Sequence, residues 1–298
     1  MQETIFREND IRGTYPEEIN ELVMKDIAFG IAKKCKAEGV DSIAIGRDGR
    51  LSGESLLTSF CEAILNCGID VNCIGLATSP MLYFAAKKEK SKSGIMITGS
   101  HNPKNYNGVK MVINNSSVSG NEILTLIKDG KELNAAVRGQ ITYSDIKKTY
   151  IKEVIESVEE NLSNLKVVLD SGNGVAGHIA PDLFKQLGCE VIELYSDVDG
   201  NFPNHHPDPG KLENLQDIIS EVQKQKADIG FAFDGDGDRV GLITNKGEMI
   251  FPDKQMMLFS EDILKEKKGA IVFDVKCSNH LENIISINGG NPIMSPTG

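Results

Sequence analysis

No stretch of the 298 residues approaches the roughly 20 consecutive apolar side chains that a membrane helix requires, so a helical membrane partner is not expected. Residues 1–10 lack the basic n-region and apolar h-region of a signal peptide. The six cysteines (Cys35, Cys61, Cys67, Cys73, Cys189 and Cys277) contain no C-x-x-C pair, which argues against a zinc knuckle and a disulfide scaffold. They read instead as reduced thiols of a cytoplasmic protein, most of them small core residues. Basic residues are in deficit: 32 Lys+Arg against 43 Asp+Glu give a net charge of −11. A general nucleic-acid binder would need a basic face, so that class is set aside. A local cluster of Arg and Lys can still hold a phosphate within an acidic protein. Tryptophan is absent and aromatics reach only 6%, but 40% apolar and 25% charged residues match the globular average. Disorder, collagen and coiled coil are thereby excluded.

The length suggests two domains. Helical and strand-like segments alternate along the chain. Pro16 is expected to open a helix with Ile19, Leu22, Val23, Ile27 and Ile31 on one face, ending at Gly39. Strands are expected near 42–45, 71–76, 94–98 and 108–113, with helices at 54–66 and after Pro80. The polar stretch 129–140 closes a first unit (1–140), before a helix at 145–160. A second unit (141–251) carries strands at 166–170, 190–195, 229–233 and 240–244 and a helix at 212–224. A third (252–298) offers a helix, the strand 270–274 and another helix, too short for a sheet with its own core. The expected fold is α/β: two domains with mixed, mostly parallel sheets covered by helices, plus the start of a third similar domain.

Three segments at strand ends invite chemistry, since open α/β sheets place ligands there. In Thr98-Gly99-Ser100-His101-Asn102-Pro103, a serine on a turn after a strand is presented toward solvent, as a nucleophile or phosphate carrier must be. The segment is not G-x-S-x-G, its composition is also that of an ordinary turn, and neighbours such as Ser100 and His101 rarely face each other. In Asp234-Gly235-Asp236-Gly237-Asp238-Arg239, alternate aspartates separated by glycines can converge on a cation, and hard oxygen ligands point to Mg²⁺ or Ca²⁺. An EF-hand is excluded, because Arg239 stands where it needs Gly and Asn245 where it needs Glu. Finally, Gly172-Asn173-Gly174-Val175-Ala176-Gly177 matches G-x-G-x-x-G after a strand, with Glu193 at the distance of a ribose-binding acid. That makes an NAD-dependent oxidoreductase the rival enzyme class, and a calcium-binding module the non-enzyme alternative.

Taken together, these residues resemble the α-D-phosphohexomutase family, the phosphomannomutases and phosphoglucomutases. The resemblance runs in order through the whole chain. It includes Asp10-Ile11-Arg12-Gly13, Gly46-Arg47-Asp48 with Arg50, the serine loop with Asn107-Gly108-Val109-Lys110, and Asn204-His205-His206-Pro207-Asp208-Pro209. The aspartate loop, Asp274-Val275-Lys276-Cys277-Ser278 and Pro296-Thr297-Gly298 complete it. Asn9 departs from the pattern, standing where many relatives have an aromatic.

The resemblance implies that Ser100 carries a phosphoryl group, gives it to a hexose 1-phosphate, and regains one from the resulting hexose 1,6-bisphosphate after the sugar turns over. It implies Mg²⁺ held by Asp234, Asp236, Asp238 and an oxygen on Ser100. Three carboxylates and a phosphoryl group of charge about −1.5 to −2 exceed one divalent cation, so nearby cations are needed. Arg12, Lys110 and Arg239 match family positions lining the site, His101 and Asn102 flank the serine, and Lys276 matches a position near the substrate. His101, Lys110 and Arg12 are expected to act with Ser100 in catalysis, and Arg239, Asn102 and Lys276 to bind substrate. The partner implied is a small phosphosugar, with hexose 1,6-bisphosphate as activator. Gly99 looks more like the dual-specificity phosphomannomutase/phosphoglucomutase branch than like phosphoglucosamine mutases, the alternative within the family. The family's distal phosphate grip and sugar-reading loop would lie beyond Gly298, so this chain alone is expected not to be a competent mutase.

Overall fold

The computed structural model describes residues 1–130, 133 and 135–296. Thr297 and Gly298, which carry the last of the sequence resemblance, lie outside the described residues.

The first unit runs β1 (Ile11–Thr14), α1 (Glu21–Ala37), β2 (Ser42–Arg47), α2 (Gly53–Asn66), β3 (Asp70–Leu76), α3 (Ser79–Lys88), β4 (Gly94–Ile97), β5 (Tyr106–Ile113), β6 (Ser116–Ser117), α4 (Gly120–Lys128) and β7 (Ile141–Tyr143). Its strands form one sheet in the order β1-β5-β4-β2-β3-β7, with β6 on β5. Strands β4, β2, β3 and β7 are parallel, while β5 runs antiparallel to its neighbours β4 and β1. The two-residue period of the strands divides the core. Ile43, Ile45, Ile95 and Ile97 face α1, α2 and α4; Ala44 and Met96 face α3 on the other side. Both sheet faces are covered, as the apolar strand runs require.

The second unit runs α5 (Lys147–Glu156), β8 (Lys166–Asp170), α6 (Ala180–Gln186), β9 (Glu190–Leu194), α7 (Gln216–Gln225), β10 (Ile229–Phe233), β11 (Val240–Thr244) and β12 (Met249–Ile250). Its sheet has the order β12-β11-β10-β8-β9, parallel at β8, β9 and β10 and antiparallel at the β10–β11 hairpin. Ile151 of α5 and Ile179 at the start of α6 pack into the α3 side of the first core. That shared apolar seam brings the β10–β11 hairpin to the serine loop. The third unit, α8 (Pro252–Glu266), β13 (Ala270–Asp274), α9 (Asn279–Ile287) and β14 (Asn291–Ser295), pairs β13 with β14 in parallel. Among the described residues, no helix is long and apolar enough to cross a membrane.

Several expectations need correction. The first helix starts at Glu21, not Pro16, because the Asn20 side chain accepts from the N–H groups of Leu22 and Val23 and so caps it there. Leu22 consequently points to solvent, at 74% exposure. Helix α4 was not expected, although Ser119 followed by Glu122 is a capping signature, and Ser119 Oγ accepts from the Glu122 N–H at 3.1 Å. Strand β7 pairs with β3, so the first sheet extends past residue 140. The third unit has a small sheet and a core of its own, built from Leu264, Phe273, Leu281 and Ile285, because β14 supplies the missing partner strand.

Candidate active site

The serine loop follows β4 directly and is held from below by two buried residues of the β2–α2 turn. Asp48 accepts from Thr98 Oγ1 at 2.7 Å and from the Gly99 N–H at 3.1 Å. Arg50 pairs with Asp48 through Nε at 3.2 Å. Its other nitrogens donate to the carbonyls of Ser100 (2.8 Å), Asn102 (2.6 Å) and Tyr106 (2.8 Å), and to that of Pro103. A guanidinium with five fixed donors suits this task, since four backbone acceptors of one loop converge on it. Gly99 leaves the space it needs: a Cβ there would sit 2.2 Å from the Arg50 guanidinium carbon. Sequence reading had matched Asp48 and Arg50 to the family without giving them this work.

Ser100 was expected at the surface and is instead 1% exposed. The aspartate loop of the second unit covers it, and its Oγ donates to Asp234 Oδ2 at 3.0 Å. Its φ of +49° turns the side chain so that Oγ lies 3.3 Å from His101 Nδ1, against the expectation that these neighbours would not face each other. Burial, then the Arg239 charge, lowers the His101 pKa below that of an ordinary imidazole. The ring is therefore neutral near pH 7 and able to accept a proton.

The aspartates lie in the β10–β11 hairpin, which also removes the helix–loop–helix frame of an EF-hand. Asp234 Oδ1 accepts from the N–H groups of Asp238 and Arg239 at 3.1 Å each, tying the loop into a ring. Gly235 permits the approach of the two loops, because a Cβ there would lie 2.5 Å from the Ser100 carbonyl oxygen. Asp236 accepts from Ser79 Oγ at 2.6 Å and from Lys110 Nζ at 2.7 Å, and Lys110 also pairs with Asp238. One oxygen from each aspartate falls within 4.8 Å of the others. Burial, followed by the charges of Asp236 and Asp238, pushes Asp234 well above the usual carboxylate range. Burial opposes ionisation of Asp236 too, but Lys110 and the Ser79 hydroxyl bring it below that range. Asp236 Oδ1 is buried without a hydrogen-bond partner among the described residues. An all-carboxylate donor set with an unpartnered buried oxygen fits a hard divalent cation such as Mg²⁺.

Arg12 reaches the loop from β1. Its Nη1 donates to the Gly99 carbonyl at 2.6 Å, its Nη2 pairs with Asp10, and its buried Nε has no partner among the described residues. Arg12, Ser100, His101, Asn102, Lys110, Asp238 and Arg239 line one cavity of about 440 Å³. Asn102 donates its side-chain amide to the Gly99 carbonyl at 3.1 Å, so it also braces the turn. Lys276 is not among the residues lining this cavity; it is 71% exposed and pairs with Asp274 at 3.6 Å in the third unit.

Sequence reasoning missed Arg7 and Tyr83, which also line the cavity, and no motif marks either. Asn9 is on the same wall. The function of the histidine pair was missed as well. His206 Nε2 lies 2.6 Å from the His101 carbonyl oxygen, and His205 Nε2 lies 3.0 Å from both Asp170 oxygens.

The glycines of residues 172–177 serve packing. Val175 N–H donates to the Gly235 carbonyl at 3.1 Å, and a Cβ on Gly177 would meet the Ser196 carbonyl oxygen at 2.0 Å. Glu193, the would-be ribose ligand, pairs with Lys185 at 2.6 Å.

A mixed α/β scaffold here sets a buried serine against a carboxylate cluster and a wall of cations. The chain belongs to the phosphoglucomutase/phosphomannomutase family: the alpha/beta/alpha domain I of that family matches residues 3–136 and its domain II residues 148–247. A phosphomannomutase/phosphoglucomutase of Pseudomonas syringae pv. tomato is 47% identical over 300 residues, covering 100% of this chain. A phosphoglucomutase of Neisseria gonorrhoeae is 44% identical over 99% of this chain. The chain spans 64% and 65% of the length of these two relatives. The crystal structure of a phosphoglucomutase/phosphomannomutase family protein from Burkholderia thailandensis superposes with a TM-score of 0.95 at 40% identity, over 100% of this chain and 67% of that one.

Proposed function

We propose that this chain carries the reacting end of a phosphohexomutase that interconverts hexose 1-phosphates and hexose 6-phosphates. In the first half-reaction the bond between phosphorus and Ser100 Oγ breaks as a bond to a sugar hydroxyl oxygen forms, giving hexose 1,6-bisphosphate; in the second the exchange of bonds is reversed. The sugar turns over, and its other phosphoryl group returns to Ser100. The observation that carries this reading is the contact of Ser100 Oγ with Asp234 Oδ2 at 3.0 Å, with Ser100 lining a cavity walled by Arg12, Lys110 and Arg239.

Each residue has a role that follows from its placement. Arg50 and Asp48 fix the Ser100 backbone, so the oxygen is aimed before substrate arrives, and such orientation contributes several kcal/mol to a transfer step. Arg12, with an unpartnered Nε, and Arg239 would bind the phosphoryl oxygens. Lys110 neutralises Asp236 and Asp238 and faces the same space. His101, neutral and beside Oγ, can take the proton of the attacking hydroxyl and return it. Asp234, Asp236 and Asp238 would hold Mg²⁺ together with an oxygen on Ser100. When bound, the ion offsets charge on the transferring phosphoryl group.

The ligand is a small phosphosugar, the activator a hexose 1,6-bisphosphate, and the compartment the cytoplasm. The first unit supplies the serine and the second the metal ligands. Stoichiometric release of hexose monophosphate from glucose 1,6-bisphosphate, one per chain, tests the reading. Ser100→Ala should release none; equal release by the variant would place the nucleophile elsewhere. Mannose, glucose and glucosamine 1-phosphates as acceptors for the phosphorylated chain separate the phosphomannomutase/phosphoglucomutase branch from phosphoglucosamine mutases.

A further inference from the structure

A second cavity of about 440 Å³ opens between α2 and the β3–β7 edge of the first sheet, and it shares no lining residue with the first. Cys61 of α2 and Cys73 of β3 both line it. Each is only 5% exposed, so the cavity is the route by which a small reagent reaches them. Their thiols hydrogen-bond to each other across the helix–strand contact. The Gly75 N–H also points to the Cys73 sulfur, and Arg47 lies on the same wall. Two facing thiols, a cation and a backbone donor, open to one cavity, are more than a core needs. By contrast, Cys35 is sealed at 0% exposure and lines neither of these two cavities.

We propose that Cys61 and Cys73 form a modification site at which a hydroperoxide converts the thiol pair to a disulfide. Cys73 is the attacking sulfur. Its thiolate attacks the near oxygen of hydrogen peroxide, the O–O bond breaks, a sulfenic acid forms on Cys73, and the departing hydroxide takes up the proton that Cys73 released on ionising and leaves as one water. The Cys61 sulfur then attacks the Cys73 sulfur. The S–S bond forms, the S–O bond breaks, and the departing hydroxide takes the Cys61 proton as a second water. The two thiols lose two electrons and the peroxide gains them. The assignment of roles accords with the local electrostatics. The Cys61 hydrogen bond, against burial and with help from Gly75 and Arg47, lowers Cys73 below an ordinary thiol, whereas Cys61 is pushed up. A thiolate near neutral pH is what peroxide attack requires.

The test treats the whole chain with hydrogen peroxide, traps the remaining thiols with an alkylating agent after unfolding, and maps unreduced peptides by mass. Cys277, the one cysteine of the six that is not buried, is the internal reference for simple accessibility. The expected result is a Cys61–Cys73 linked peptide that forms at least tenfold faster than any oxidation of Cys277, and loses that advantage in denaturant. Cys61→Ser should abolish the link and let sulfinic acid accumulate on Cys73. Recovery of both Cys61 and Cys73 as alkylated thiols while Cys277 is oxidised would overturn the proposal. So would a sulfinic acid on Cys73 of the unmutated chain with Cys61 free.

Discussion

Ser100 Oγ lies 3.0 Å from Asp234 Oδ2, although 134 residues separate them and they belong to different sheets. The contact depends on glycine at 235, since any side chain there would press on the Ser100 carbonyl. It also depends on the apolar seam of Ile151 and Ile179 against Met81, Leu82 and Ala85, which docks the second unit on the first. The serine and the aspartate cluster are thus assembled by packing between units.

Asp236→Asn keeps the side chain's shape and removes one charge from the carboxylate cluster. Lys110 retains Asp238 as partner, so the loop should stay folded. Isothermal titration with Mg²⁺ should show affinity at least tenfold weaker than in the unmutated chain, equivalent to about 1.4 kcal/mol. Unchanged affinity would move the metal away from Asp236.

Arg50→Ala removes the donor shared by four loop carbonyls and leaves Asp48 as a buried charge without its partner. Loss of one member of a buried pair should lower stability by about 3–5 kcal/mol in denaturant unfolding. Arg50→Lys should be less destabilised, yet it cannot span the same acceptors, so proteolysis at Lys104 should quicken in both variants. A protected loop in Arg50→Lys would show that charge, rather than the guanidinium fork, holds it.

His205 offers a pH signature. Burial alone would lower its pKa, but the Asp170 carboxylate and the His206 carbonyl hold it above the ordinary value. Because the folded state binds this proton more tightly, its stabilisation is complete below the unfolded pKa of about 6.5 and is lost as pH rises through the raised folded value. Against His205→Gln, the unmutated chain should be more stable by about 1–3 kcal/mol at pH 5.5, and the gap should narrow by pH 9. A gap that widens with pH would reverse the sign and contradict the charged pair.

The legibility of the sequence followed the range of the interaction involved. Strands 166–170, 229–233, 240–244 and 270–274 match their expected spans residue for residue, because continuous apolar runs bounded by polar turns admit little else. Short β7 and β14 carry no such run, and their pairing comes from neighbouring strands. At the site, the spacing of Asp234, Asp236 and Asp238 was readable, because the three ligands sit in one hairpin. The burial of Ser100 was not, since its cover comes from another unit. Nor was the role of Arg50, whose acceptors lie 50 to 56 residues away and are backbone carbonyls that no side-chain pattern encodes. Lys276 matched by sequence position yet lies outside the cavity.

The most direct test of the account is the site of phosphorylation itself. The chain is stripped with phosphatase, incubated with glucose 1,6-bisphosphate with and without Mg²⁺, digested with trypsin and mapped by fragmentation mass spectrometry. The account predicts one phosphoryl group per chain, on Ser100 of the peptide Ser93–Lys104, formed much faster with Mg²⁺ and absent in Ser100→Ala, whose stability should differ from the parent by only about 1 kcal/mol. Phosphate on Ser93, Thr98 or a residue outside this peptide, or equal incorporation by Ser100→Ala, would contradict it.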